Sequence, residues 1–172
     1  MTANSGASGT EREEEGTGRG TKRSARDRAL GLLAVRWRSR RELERRLRAA
    51  GFDAIEVAEA LADLDRAGLV DDERFARELT RARAGRLDGN RSVRSALAKA
   101  GVSPELAEAS LAEAGDESER AFELARRRAV RLGNLEPEVA RRRLYGVLVR
   151  RGYSPGLATA ACREALGRPA DE

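Results

Sequence analysis

The sequence predicts an all-α protein, an elongated, curved array of three tandem three-helix repeats. Three observations carry that prediction. The first is internal repetition. Gly51, Gly101 and Gly152 lie 50 and then 51 residues apart, and the apolar pairs before them (Leu43 and Leu47, Val93 and Leu97, Leu144 and Leu148) keep the same register. A larger apolar residue follows each glycine (Phe52, Val102, Tyr153), and Leu61, Leu111 and Cys162 align further on. A period of this size belongs to stacked helical units. The second is composition: hydrophobic residues make up 40% of the chain but aromatics only 3%, and isoleucine and threonine are scarce, which leaves little material for a sheet. The third is the 37% charged fraction, mostly Arg and Glu, which suits long exposed helix faces.

Residues 1–24 are rich in Gly, Ser, Thr and charge with no apolar periodicity, which predicts a mobile tail. The tail carries glycines and Lys22 but no adjacent Gly-Lys-Ser/Thr, so it is no phosphate loop. The first repeat, 25–68, opens with a helix from about Ala25 to Arg36, with Leu30 and Leu33 on one face. Ser39 starts the second helix, and Glu42 three residues on completes a Ser-x-x-Glu capping box. Leu43 and Leu47 lie one turn apart on its inner side, and Gly51 stands where a left-handed stop is wanted. Val57, Leu61 and Leu64 stripe a third helix from about Asp53 to Arg66, stopped by Gly68.

In the second repeat, 69–115, Asp71 or Asp72 caps a helix carrying Phe75 and Leu79. A turn at Leu87–Asn90 follows, with Asn90 as cap of the helix through Val93 and Leu97. Ser103 then caps a helix with Pro104 at its first position. The third repeat, 116–167, has a long helix from Asp116 to about Leu132, broken at Gly133-Asn134. Pro137 opens the next helix, Ser154-Pro155 the last, and residues 168–172 form a short C-terminal tail. Each helix buries one face only, so its neighbours complete the core.

The chain has no histidine, which excludes Ser-His-Asp and Cys-His catalysis and most imidazole metal sites. Cys162 is the only cysteine, so no intramolecular disulfide forms and a reducing compartment is compatible. Its register with Leu61 and Leu111 makes it a small core residue rather than a reactive thiol. Asp71, Asp72 and Glu73 lie at a helix N-terminus, where negative charge complements the macrodipole, so capping outweighs metal ligation. No signal-peptide pattern and no apolar run of bilayer length is present. The expectation is a cytoplasmic, monomeric, non-enzymatic protein without cofactor or metal.

The net charge is +5, and the third repeat carries +4 of it against +2 in the first and 0 in the second. Such asymmetry points to an acidic or phosphate-rich partner on that side. Arg126, Arg127, Arg128 and Arg131 lie on the first helix of that repeat; Arg141, Arg142 and Arg143 lie on the second, which ends at Arg150-Arg151. Arg127 and Arg131 are four apart and Arg143 and Arg150 seven apart, so each pair shares a helix face. Consecutive arginines cannot all pack inwards. The candidate partner-binding residues are therefore Arg126, Arg127, Arg131, Arg141, Arg142, Arg143, Arg150 and Arg151. Trp37, amid Arg36, Arg38, Arg40 and Arg41, could stack on a base, but packing at the junction of the first two helices is the favoured role. Tyr145 stands open between burial and partial exposure.

These residues also carry a resemblance. Ser39-Arg-Arg-Glu-Leu-Glu-Arg-Arg-Leu, ending at Gly51-Phe52, resembles the first repeat of the RecX recombination regulators. Gly68-Leu-Val-Asp-Asp-Glu-Arg-Phe-Ala76 is similar to that family's most distinctive block, and Arg141 to Tyr153 resembles its third-repeat signature. The resemblance spans about residues 25–167, and Arg86 to Arg91 is less basic than the equivalent family stretch often is. It implies a non-enzymatic modulator of RecA, the ATP-dependent recombinase that forms filaments on single-stranded DNA. Members bind along the filament groove and hinder its extension or strand exchange. The implied partner is the RecA filament, with nucleic acid contacted inside it. By position, Asp71, Asp72, Arg74 and Phe75 match the distinctive block, expected to join repeats one and two with Phe75 inward and Asp72 as a cap. The alternative is a direct DNA-binding helical protein, against which no helix concentrates Arg with Asn or Gln to read base edges.

Overall fold

A computed structural model describes residues 24–167. These form nine α-helices and no strand: α1 (Ala25–Val35), α2 (Arg40–Ala49), α3 (Ala54–Arg66), α4 (Asp72–Gly85), α5 (Asn90–Ala100), α6 (Pro104–Ala112), α7 (Glu117–Ala129), α8 (Pro137–Arg150) and α9 (Pro155–Leu166). A turn of 3-10 helix, Val130–Leu132, ends the long helix before the break at Gly133-Asn134. The predicted tails lie outside the described residues except for Ser24, which is the N-cap of α1. Its hydroxyl accepts from Asp27 N at 3.1 Å, and Asp27 reaches back to Ser24 N at 3.4 Å.

Local chemistry starts most of the helices. Ser39, Asp53, Asp71, Ser103, Asp116 and Ser154 each accept a backbone N–H of the first turn, worth about 1 kcal/mol apiece. Pro104, Pro137 and Pro155 hold the first helical positions, where a missing N–H costs nothing. Two caps differ from the sequence expectation, for one physical reason. Ser39 Oγ does accept from Glu42 N (3.1 Å), but the Glu42 carboxylate turns to Arg36 at 2.6 Å instead of closing the box. Asn90 is not the cap of α5; Gly89 holds that position, and Asn90 Oδ1 accepts from Arg120 at 2.7 Å. In both cases a guanidinium outcompetes the local backbone donor, because a charge-assisted bond is the stronger one.

Each repeat closes its own core. Leu43, Leu47 and Leu64 anchor the first cluster, Phe75, Val93 and Leu97 the second, and Leu144, Leu148 and Tyr153 the third. The register pairs Leu43 and Leu47, Val93 and Leu97, and Leu144 and Leu148 are all 0% exposed; each such side chain contributes roughly 1.5–3 kcal/mol by burial. Cys162 lies in the third core, where burial pushes its thiol up. Trp37 departs from expectation. It packs against the second repeat's cluster rather than at the α1–α2 junction, with the Arg74 guanidinium 4.0 Å over its ring. Tyr145 is partly exposed.

Candidate partner interface

What positions the surface arginines is the way the repeats are joined, and the same joint is made twice. At the first, Ser39 Oγ donates to the Ala100 carbonyl at the end of α5 (2.5 Å), and Asp72 Oδ1 accepts from Arg40 N (2.8 Å). At the second, Gly89 N donates to the Arg151 carbonyl at the end of α8 (2.9 Å), and Glu117 Oε1 accepts from Asn90 N (2.7 Å). Ser39 and Gly89 are repeat equivalents, as are Ala100 and Arg151. The middle helices therefore run end to end, the start of α2 on the end of α5 and the start of α5 on the end of α8. In each joint the first residue of the following repeat's first helix caps the preceding middle helix. Asp72 thus caps α2 from across the joint, and Asp71 caps α4 through Arg74 N at 2.9 Å.

More polar contacts tie the second joint. Arg120, 8% exposed, donates to Asn90 Oδ1 and to the carbonyls of Ala114 and Gly115. Arg151 donates to the Arg86 carbonyl and to Asp88 Oδ1, both at 2.8 Å, while Arg83 holds the other Asp88 oxygen at 3.1 Å. The Tyr153 hydroxyl donates to the carbonyl of Leu87 (2.9 Å), a residue held at φ +58°. Tyr153 is 0% exposed, and burial pushes its phenol up to about 12. The glycine before it is required twice over. Its φ of +97° disfavours a side chain, and a Cβ there would lie 2.5 Å from Ser92 N.

The candidate arginines divide in this framework. Arg126 pairs with Glu123 (3.1 Å) and Glu164 (3.0 Å), and Arg127 with Glu123 (2.5 Å). Those two hydrogen bonds, led by that of Arg127, hold the Glu123 carboxyl below its usual range. Arg141 is half-buried, its Nε out of water with no hydrogen-bond partner and 3.9 Å from Glu138. Arg131, Arg142, Arg143 and Arg150 are exposed and make no ion pair among the described residues. Arg151 is taken up by the second joint. Of the distinctive block, Phe75 is buried, Asp71 and Asp72 cap, and Arg74 covers Trp37. Sequence reasoning missed Glu117, Arg120 and Asp88 as joint residues. Of these only Glu117 carried a signal, standing first in its helix as Asp72 does.

Models of the first, second and third three-helix domains of RecX match residues 25–64, 71–111 and 116–162 of this chain. The chain belongs to the RecX family. It is 40% identical over 147 residues to the regulatory protein RecX of Amycolatopsis mediterranei, covering 84% of each chain. It is 41% identical over 139 residues to that of Mycobacterium sp. strain JLS, covering 75% of this chain and 74% of that one. In fold it is similar to the crystal structure of RecX from Lactobacillus salivarius, with a TM-score of 0.69 and 22% identity over 82% of this chain and 94% of the other. The relatives are regulatory proteins by name, and a RecX-type regulatory role comes with the family. Among the described residues no helix is long and apolar enough to cross a membrane.

Proposed function

We propose that this RecX chain regulates the RecA recombinase by binding the filament that RecA forms on single-stranded DNA. It mainly inhibits the ATPase and strand-exchange activities of that filament, and so controls recombination and DNA repair, without catalysis of its own. The observation that supports this reading most strongly is the match of all three RecX domains, in order, along one array. Arg131, Arg142, Arg143 and Arg150, exposed and without an ion pair among the described residues, fit a filament surface rich in phosphate and carboxylate.

The test is RecA-catalysed, DNA-dependent ATP hydrolysis with increasing amounts of this protein. The rate should fall. Reversing Arg142 and Arg143 to Glu should weaken that inhibition while circular dichroism stays unchanged. No inhibition at a molar excess over RecA overturns the proposal.

A further inference from the structure

At each joint, an acidic residue that follows a repeat's third helix caps the start of that same repeat's middle helix. Asp72 comes after α3 and accepts from Arg40 N at the start of α2. Glu117 comes after α6 and accepts from Asn90 N at the start of α5. The chain leaves all three third helices through a glycine of left-handed φ: Gly68 at +66°, Gly115 at +75° and Gly167 at +80°. Beyond each glycine stands an acidic pair, Asp71-Asp72, Asp116-Glu117 and Asp171-Glu172. The spacing agrees too. Asp72 stands six residues past Arg66, the end of α3, and Glu117 five past Ala112, the end of α6. Asp171 and Glu172 stand five and six past Leu166, the end of α9.

The third middle helix presents the site that such a pair would reach. α8 begins at Pro137 with no side-chain cap among the described residues. Proline has no N–H, so the first-turn donors left over are Glu138 N and Val139 N. Beside them lies a groove of about 580 Å³, with Val130, Leu132, Leu135, Pro137 and Leu166 in its apolar walls. Its charged residues are Arg126 and Arg141, with no carboxylate, and Arg141 Nε lies out of water without a hydrogen-bond partner. Val130 is 85% exposed, more than any other large hydrophobic among the described residues. A fourth repeat would stack on this face, and an array of repeats needs its last face covered. Leu166 lines the groove and Gly167 follows it, so residues 168–172 start at the groove's edge. Five residues reach up to about 17 Å, and Pro137 puts the start of α8 on the same groove.

We propose that residues 168–172 dock in this groove, with Pro169 and Ala170 on its apolar walls and the Asp171-Glu172 pair on the start of α8. The acidic pair then meets the positive end of the helix dipole, as Asp72 does on α2 and Glu117 on α5. The chain thereby closes its last repeat with the same device that joins the other two. This docking needs neither RecA nor DNA, so it stands or falls apart from the regulatory reading above.

The experiment is amide exchange and methyl NOE spectroscopy on the full chain, on a chain ending at Gly167, and on an Asp171→Lys, Glu172→Lys variant. In the full chain the Ala170 methyl should show NOEs to Val130 or Leu135. Both altered chains should exchange about 5-fold faster at Glu138 and Val139, the effect of one lost cap, with Arg40 and Asn90 unchanged. Asp72→Ala sets the scale: it should speed Arg40 by the same factor and leave Glu138 and Val139 alone. Equal rates at Glu138 and Val139 in the full and altered chains overturn the proposal. So does acceleration spread evenly over the third repeat, which reports a general loss of stability rather than a lost cap. An Ala170 methyl without NOEs to the groove also overturns it and leaves the groove to another protein. NOEs seen only between labelled and unlabelled molecules in a mixed sample put the segment on a second copy, and overturn it as well.

Discussion

Replacing the three register glycines with alanine, one at a time, separates two demands that the repeat places on one position. Gly51, Gly101 and Gly152 all hold a left-handed backbone, at φ of +92°, +80° and +97°. Forcing an alanine into that region costs about 1–2 kcal/mol. Gly51 has no preceding repeat against it, and a Cβ there meets nothing within 4 Å. Its alanine variant should therefore lose only that backbone cost. At Gly101 the added atom meets the Arg41 side chain, and at Gly152 it lies 2.5 Å from the Ser92 backbone N and 2.7 Å from its Cβ. The nearest Arg41 atoms include its Cβ at 2.6 Å, which is fixed to the backbone of α2, so neither contact can be relieved without opening a joint. Overpacking of this kind adds about 1–3 kcal/mol, so Gly101→Ala and Gly152→Ala should each cost roughly 2–5 kcal/mol in all. Urea unfolding with a common m-value gives the three differences directly. A loss at Gly152 no larger than that at Gly51 would refute the close approach of α5 and α8 on which the joint rests.

Two further outcomes follow from the same contacts. The Tyr153 phenol is raised from 10.0 to about 12 by burial. The neutral form is therefore favoured in the folded state, and its stabilisation is fully present below pH ~10 and lost as the pH rises through ~12, about 2–3 kcal/mol over that window. Urea unfolding across it should show that decline in the natural protein and a flatter profile in Tyr153→Phe; equal slopes would count against burial of the hydroxyl. Asp72→Ala should cost about 1 kcal/mol through loss of the cap on α2 and speed amide exchange at Arg40, whereas an effect confined to the start of α4 would place the carboxylate on its own helix.

Most of the fold was legible because its determinants are local. Leu43, Leu47 and Gly51 lie within three turns of one another, and a Ser or Asp caps seven of the nine helices and announces their starts. The joints were not legible, because their partners are far apart in the chain: Ser39 with Ala100, Arg40 with Asp72, Asn90 with Arg120. Asn90 was misassigned for the same reason, whereas Glu42 was lost to Arg36 only six residues away, since a side chain with two possible partners gives no sign in sequence of which one wins. The surface followed this division too. Runs such as Arg141 to Arg143 stand out by eye, and they drew attention to the third repeat. Arg45, Lys99 and Arg150 stand one per repeat, and only the end-to-end placement of α2, α5 and α8 brings Lys99 into one groove with Arg45 and another with Arg150.

That placement also orders the backbone dipoles. Each α-helix carries partial positive charge at its start and partial negative charge at its end. Where α5 begins on the end of α8, and α2 on the end of α5, opposite partial charges meet and cancel. Two ends remain uncancelled: the negative one at Gly51 and the positive one at Pro137, where α8 begins about one turn ahead of the residue equivalent to Arg40 and Asn90. No side chain among the described residues caps that last start. The array is thus a series circuit of three dipoles with unlike poles. The two ends of the array therefore differ in sign, and a directional partner would meet a different field at each.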